Sequence, residues 1–108
     1  MDTLKSPEAC NSKKEIRDQI DAIDAEIIRL FARRFTYVQE IVRFKTDEAS
    51  IIAQDRKNDV IRQRGIWASE AGLDKHTYEH IYRYLIDHNI DREMEILQSK
   101  TKKSVIKN

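Results

Sequence analysis

Apolar residues recur at intervals of three and four along the first half of the chain, which is the spacing of one helix face. The series begins at Ile16, and no glycine or proline interrupts it before Phe44. Its members are Ile16, Ile20, Ile23, Ile27, Leu30, Tyr37 or Val38, Ile41 and Phe44. Ser12 and Glu15 lie just before the series and can form a capping box at the start of a helix. The pattern therefore predicts a long first helix over about residues 13–46.

Two more helices are predicted in the second half of the chain. A loop is expected over residues 47–54, after which Asp55 is the expected N-cap of the second helix, and Gly72 ends it. Asp74 then restarts the chain before a third helix over residues 75–98. The apolar positions of the third helix are Tyr78, Ile81, Tyr82, Leu85, Ile86, Ile96 and Leu97.

These elements divide the chain into an N-terminal extension (residues 1–11), a helical domain (12–98) and a basic tail expected to be flexible (99–108). A chain of 108 residues has room for one hydrophobic core. Two glycines and one proline are too few for hairpin-rich β folds or glycine-rich phosphate loops. Charged residues at 36% beside apolar residues at 40% are typical of long amphipathic helices. We expect an all-α protein.

Charge and composition narrow the possible partners. Twenty basic residues against nineteen acidic ones leave no overall field that favours nucleic acid or a membrane surface. The single cysteine, Cys10, excludes an internal disulfide and a multi-cysteine metal site. No segment reads as a signal peptide or a membrane span. We expect a cytoplasmic protein without a metal or a cofactor, and with no nucleic-acid or membrane partner.

The length of the first helix predicts a partner subunit. Such a helix extends about 50 Å, whereas a compact monomer of this size has a radius of gyration of about 13 Å. Arg17 and Arg34 lie about 25 Å apart along this helix. They can bind one small ligand only if Arg17 comes from a second chain. We therefore expect a partner subunit, and an ordinary exposed helix arginine is the alternative interpretation of Arg17.

Two cations interrupt the apolar face of the first helix. Counting four residues beyond Leu30 leads to Arg34, and about three further turns lead to Lys45. A buried cation is costly unless an anion neutralises it, so the two residues indicate a site for an anionic ligand. Ion pairs with Glu40 or Glu48 are the alternative interpretation.

The third helix is interrupted in the same way. Beyond Leu85 its apolar face continues at Asn89 and at Arg92 or Glu93. If the first and third helices face each other, these groups meet the two cations in a polar pocket inside a bundle. A purely structural layer of salt bridges is the alternative.

Two other patterns point to different chemistry but are weak. His76, Glu79 and His80 match the H-x-x-E-H pattern of a zinc peptidase group, yet no third ligand is evident and the chain is short for a protease cleft. Residues 99–108 are rich in lysine but lack the interleaved aromatic residues expected of a nucleic-acid interface. Trp67 is expected in the core or in a subunit interface.

The first helix resembles the signature of the all-α chorismate mutases. The likeness rests on Ile16-Arg17-Asp18-Gln19-Ile20-Asp21-Ala22-Ile23-Asp24, on Ala32-Arg33-Arg34 and on Lys45. It extends over residues 12–97. A second set resembles the branch that contains isochorismate pyruvate lyase, namely Ser6-Pro7-Glu8, Cys10, Arg43-Phe44-Lys45 and Glu48-Ala49. The resemblance implies an intertwined homodimer of three-helix chains that acts on a small dicarboxylate substrate.

The resemblance also implies roles for the cationic residues. Arg17 of the partner subunit, Arg34, Lys45 and Arg56 would bind the two carboxylates and the ether oxygen of the substrate.

Four further positions are implied by the same resemblance. Asn89 would line the pocket, and Glu93 would donate a hydrogen bond to the ether oxygen. Lys57 stands where many mutases have a glutamate that holds the ring hydroxyl, and Asp55 is a possible substitute for that glutamate.

The first function that we predict is chorismate mutase, with Arg34, Lys45 and Glu93 as catalytic residues. The second is isochorismate pyruvate lyase, which would use the same cationic pocket for an elimination that releases pyruvate. The alternative from another class is a non-catalytic helical dimerisation module. Asn89 favours the mutase, whereas the N-terminal motif and Lys57 favour the lyase.

Overall fold

The computed structural model describes residues 4–106, with side chains as far as residue 100. This part of the chain contains α1 (Lys13–Ile41), α2 (Glu48–Ile52), α3 (Gln54–Glu70) and α4 (Lys75–Ile106). Short 3-10 helices lie at Pro7–Ala9 and Val42–Phe44. No β-strand occurs in the described range, so the all-helical class is confirmed.

The chain divides into two compact units, Met1–Thr36 and Tyr37–Asn108. The first unit contains the N-terminal segment and most of α1. No residue of α1 is buried, and the apolar side chains of its predicted inner face are between 42% and 54% exposed at Ile16, Ile20, Ile27 and Leu30.

The predicted capping box at the start of α1 is formed in part. The Glu15 backbone N–H donates to Ser12 Oγ at 3.1 Å, as expected. The Glu15 carboxylate accepts instead from the Asn11 backbone N–H, at 2.7 Å. The helix therefore begins at the predicted residue, but the second cap bond satisfies the N–H one position earlier.

The predicted end of the first helix near Thr46 is wrong, because α1 ends at Ile41. A 3-10 helix follows, and Lys45 then adopts an extended backbone with φ −109° and ψ 132°. Asp47 explains the early end. It is the N-cap of α2 and needs an extended backbone, so the chain must leave the helical conformation before it.

The predicted loop at 47–54 contains the short helix α2 instead. The Asp47 carboxylate accepts from the Ser50 backbone N–H at 2.8 Å, while the Ser50 hydroxyl accepts from the Asp47 N–H in a full capping box. These bonds hold the pKa of Asp47 below its ordinary value. Ala53, with φ 39°, separates α2 from α3. Asp55 was predicted to be the N-cap of this helix. That prediction is wrong, because Asp55 lies in the first turn of α3.

The connection between α3 and α4 forms as the sequence predicts. Gly72 has φ +82°. The Gly72 N–H donates to the Ser69 carbonyl and the Leu73 N–H donates to the Ala68 carbonyl, which are the two hydrogen bonds of a Schellman motif. Asp74 then caps α4, because its carboxylate accepts from the Thr77 hydroxyl and backbone N–H. The same two bonds lower the pKa of Asp74.

The core of the second unit lies where α3 and α2 pack against α4. Its buried apolar side chains are Val42, Ile51, Val60, Ile61 and Ala68. The two long helices are antiparallel, since Arg64 lies over Tyr82 while Lys57, earlier in α3, pairs with Asp87, later in α4. Trp67 is 51% exposed and is stacked under Arg64, so it is not a core residue of this unit.

The apolar face predicted for the third helix is only partly inward. Tyr78, Tyr82, Leu85, Ile86, Ile96 and Leu97 are half-buried, whereas Ile81 is exposed. The helix continues to Ile106, beyond the predicted end at 98, because the tail contains no glycine or proline to stop it. Residues 107–108 and the side chains of 101–108 lie outside the described part, so the flexibility of the tail stays a prediction.

Candidate active site

A largely buried ion pair joins the segment after α1 to α4. Lys45 Nζ lies 2.9 Å from Glu93 Oε1, and the two side chains are 17% and 7% exposed. A buried pair of this kind has a high desolvation cost, which well-packed apolar residues would not incur. The pair is therefore a candidate functional site.

Lys45 is held there by its neighbours along the chain. Its backbone N–H donates to the Val42 carbonyl at 3.0 Å, and the Val42 side chain is 1% exposed. The 3-10 helix that begins at Val42 packs against α4. The extended backbone at Lys45, which the helical spacing did not predict, is what carries the ammonium group to Glu93.

Asn89 is a further polar side chain next to Glu93, and both of these side chains are buried. Asn89 is 5% exposed and Glu93 is 6% exposed, and they lie one turn apart on α4. The amide offers donors as well as an acceptor, and the carboxyl group accepts when ionised and donates when protonated. Together with Lys45, the two residues can bind an oxygen-rich anion out of water.

Lys45 therefore meets Glu93, as both the pocket and the structural salt-bridge interpretations expect, and neither Glu40 nor Glu48 is its partner. Glu40 pairs with Arg43 at 3.2 Å. Among the described ion pairs Glu48 has none with Lys45, and lies instead in the first turn of α2. Sequence separation of 48 residues between Lys45 and Glu93 shows that the pair depends on tertiary packing.

The three arginines of the predicted site differ in their exposure. Arg17 is exposed and Arg34 is half-buried, both in the first unit. Arg56 is exposed in the first turns of α3. Within the described part of the chain no carboxylate pairs with any of the three.

Lys57 has a partner that sequence reasoning missed. Its side chain is 17% exposed and forms an ion pair with Asp87 of α4. No local signal marks a pair whose members are 30 residues apart. Lys57 lies on the face of α3 that contacts α4, which the burial of Val60 and Ile61 one turn later also indicates.

The H-x-x-E-H pattern does not assemble a metal site. The His76 side chain is 84% exposed, and its Nδ1 is 4.0 Å from Glu79 Oε1. In the described residues no three histidine, cysteine, aspartate or glutamate side chains gather at one point. In the same range no helix is long and apolar enough to cross a membrane.

Comparison with known proteins shows which family of proteins this chain is related to. The family model for chorismate mutase type II matches residues 16–94. An isochorismate pyruvate lyase from Pseudomonas aeruginosa is 39% identical over 83 residues, which cover 77% of this chain and 82% of that protein. A T-protein from Haemophilus influenzae is 31% identical over 71 residues, which cover 65% of this chain but 19% of that protein. With the match spanning most of the chain, including Lys45 and Glu93, this protein belongs to the chorismate mutase type II family of enzymes.

Proposed function

We propose that the protein catalyses the rearrangement of chorismate to prephenate. The observation that carries the proposal is the buried pair of Lys45 and Glu93, with Nζ and Oε1 2.9 Å apart. In this reaction the ether C–O bond breaks while a new C–C bond forms, and no covalent intermediate with the enzyme arises. The protein has to hold the compact conformer and stabilise negative charge on the ether oxygen.

Lys45 and the arginines supply the positive charge in this proposal. Lys45 donates to the ether oxygen as negative charge grows there, in a site where exclusion of water strengthens the interaction. Guanidinium groups form paired hydrogen bonds with carboxylates, so Arg34, Arg56 and Arg17 of the partner subunit bind the two carboxylates of the substrate.

Glu93 and Asn89 supply hydrogen bonds. Glu93 in its acid form donates to the ether oxygen beside Lys45. Asn89 is a small polar side chain that fits beside a ring carboxylate and can donate to it. Its burial at 5% exposure supports a role in binding rather than in solvation of the surface.

The proposal includes a homodimer. The apolar side chains of α1 are exposed at Ile16, Ile20 and Ile27, and isolated amphipathic helices gain most of their stability by packing that face. A second copy of the chain covers this face and delivers its own Arg17. We also propose a cytoplasmic location, since the single thiol, Cys10, suits a reducing compartment.

Isochorismate pyruvate lyase activity is the second candidate. It is favoured by the 39% identity to the Pseudomonas aeruginosa protein of that name over 82% of its length. The same cations would bind isochorismate, and the reaction would release pyruvate and leave salicylate. Lys57, engaged with Asp87, supports this candidate because it stands where many mutases have a glutamate that accepts a hydrogen bond from the ring hydroxyl of chorismate.

The two activities are distinguished by their products. Purified protein is incubated with chorismate and, separately, with isochorismate, while prephenate and pyruvate are measured. We expect prephenate from chorismate, at a rate that Lys45→Met abolishes. Arg43→Met, which removes an exposed cation from the same segment, is the matched control and should leave the rate unchanged.

Each other result identifies a different function. Pyruvate from isochorismate, without prephenate from chorismate, replaces the mutase with the lyase. Turnover of neither substrate favours the non-catalytic dimerisation module. Equal loss of activity in Lys45→Met and Arg43→Met contradicts a specific role for Lys45.

A further inference from the structure

The N-terminal segment folds back along the first turns of α1. The Lys5 backbone N–H donates to Gln19 Oε1 at 3.0 Å, and Lys5 Nζ donates to Glu15 Oε2 at 3.2 Å. The Asn11 backbone N–H donates to the same Glu15 oxygen at 2.7 Å. Three bonds thus tie residues 5–11 to α1, and we call these residues the N-terminal strap.

The strap has a defined internal structure. A 3-10 helix at Pro7–Ala9 turns the chain between the two attachment points. The Ala9 N–H donates to the Ser6 carbonyl at 3.0 Å, and the Cys10 N–H donates to the Pro7 carbonyl at 3.3 Å. Proline fixes its own φ, which lowers the entropy lost on ordering the segment. The strap is therefore a built element of the first unit.

The strap occupies the side of α1 away from Arg17. Arg17 lies two residues from Glu15 and two residues from Gln19. At about 100° per residue, its side chain therefore points about 160° away from each of them around the helix. Arg17 is accordingly exposed, whereas Glu15 and Gln19 are half-buried. The segment thus holds α1 on one side and leaves the guanidinium group clear on the other.

The first turns of α1 need such a support. Helix ends fray because their first N–H groups lack partners within the helix. Arg17 is the fifth residue of the helix, which begins at Lys13. The ties to the Glu15 carboxylate, which also hold its pKa below the ordinary value, keep this part of the helix wound.

We propose that the N-terminal strap positions Arg17 for the active site of the partner subunit. Lys5 and Glu15 are positioning residues: they touch no substrate, and they act by fixing the helix turn from which Arg17 projects. This inference rests on the proposed function, because it requires that Arg17 of one chain binds the substrate of the other.

Mixed dimers test the inference with an internal control. Chains carrying Arg17→Ala are mixed and refolded with chains carrying Arg34→Ala, so that one site per mixed dimer contains both arginines. Its Arg17 comes from the Arg34→Ala chain. Lys5→Met is then added either to that donor chain or to the other chain, and kcat and KM for chorismate are measured.

We expect Lys5→Met to change the kinetic constants only when it is on the donor chain, which supplies Arg17. On the donor chain we expect Lys5→Met to raise KM on the order of fivefold, as for one weakened ionic contact, with little change in kcat. On the other chain it should leave both constants unchanged. Lys14→Met is the matched control, since Lys14 pairs with Asp18 at 2.8 Å on the same turns without touching the strap, and it should be silent on either chain.

The possible failures separate the inference from the function. No recovery of activity in demonstrated mixed dimers contradicts the two-chain site of the proposed function, and the inference falls with it. Recovery with the same KM for both placements of Lys5→Met contradicts the inference alone. An equal rise in KM from either chain also contradicts it, because it shows a general loss of stability.

Discussion

The protonation of Glu93 determines what the buried pair can do. As a carboxylate, Glu93 accepts from Lys45 Nζ at 2.9 Å and would repel negative charge that develops on an ether oxygen. As a carboxylic acid it can donate a hydrogen bond to that oxygen. Donation to the ether oxygen therefore requires a neutral donor at this position.

Under the proposed mutase function, a neutral hydrogen-bond donor at position 93 should support activity. Glu93→Gln keeps a neutral donor of the same length, so it should retain activity. Glu93→Ala should lose roughly a hundredfold, because one donor to an oxyanion contributes on the order of 3 kcal/mol. The measurement is kcat/KM for the three proteins. A Glu93→Ala protein as active as the natural sequence would show that Glu93 is not this donor.

The same pair also determines stability. Lys45→Met fills a similar volume but leaves the Glu93 carboxylate buried without its cation, which should cost about 3 kcal/mol of the free energy of unfolding at neutral pH. Adding Glu93→Gln removes the uncompensated charge and should restore most of this loss. Urea unfolding at one fixed protein concentration measures both. A double variant as unstable as Lys45→Met would mean that packing, and not charge, accounts for the loss.

Individual residues were predictable where a polar residue interrupts a regular series of apolar residues. Lys45, Asn89 and Glu93 stood out as polar groups in apolar series, and two of them form the observed pair. The partner of Lys57 was not predictable, because Asp87 lies 30 residues away and a charged residue on a helix surface is ordinary. Long-range pairs become visible only once the packing of α3 against α4 is known.

At the scale of elements, the contact between α3 and α4 depends on Gly65. A Cβ atom at this position would stand 2.8 Å from Glu79 Cγ and 3.0 Å from Glu79 Oε1. That carboxylate oxygen is buried and has no hydrogen-bond partner within the described residues. The glycine therefore leaves room for the Glu79 side chain between the two helices, and a glycine inside a helical pattern is a sequence signal for such a close contact.

Substitution of Gly65 should have opposite effects in two backgrounds. Gly65→Ala alone should destabilise by about 1 kcal/mol, since the cost of overpacking exceeds the gain in helix propensity. In a Glu79→Ala background the same change should stabilise by about 1 kcal/mol, because only the propensity gain remains. Thermal or urea unfolding of the four proteins completes the cycle. The same sign in both backgrounds would contradict the close contact.

Helix ends were predictable where a single local signal governs them. Gly72 and Asp74 mark the α3–α4 connection, and both act as predicted. The end of α1 was not, because its apolar spacing continues past Ile41 while Asp47 requires an extended backbone to cap α2. Periodicity reports which face is apolar, whereas caps decide where a helix stops. The start of α3 after the left-handed Ala53 had no sequence signal, since alanine rarely adopts that conformation.

At the scale of the whole molecule, the exposed face of α1 predicts that folding depends on association. The dimer should remain helical on dilution until it dissociates, and the separated chains should then unfold, because each apolar face has lost its cover. Sedimentation and circular dichroism over a dilution series measure this. A stable monomer with full helix content at micromolar concentration would contradict the proposed homodimer.

The class of the whole molecule was easier to predict than its association. Few glycines, frequent charges and regular apolar spacing specify helices, and the signature around Arg17 and Arg34 specifies the family. How two copies would cross in the proposed homodimer depends on complementary surfaces, and the sequence indicates a partner only through the excess length of its first helix.

The central claim, that Lys45 and Glu93 belong to a site for a dicarboxylate ether, is tested most directly by a crystal structure with a non-reactive bicyclic dicarboxylate that mimics the transition state. The account predicts that the ether oxygen lies within hydrogen-bond distance of Lys45 Nζ and the Glu93 carboxyl group. It also predicts that the two carboxylates lie on Arg34, Arg56 and Arg17 of the partner subunit. A ligand bound elsewhere, with the Lys45–Glu93 pair intact and no arginine engaged, would contradict it.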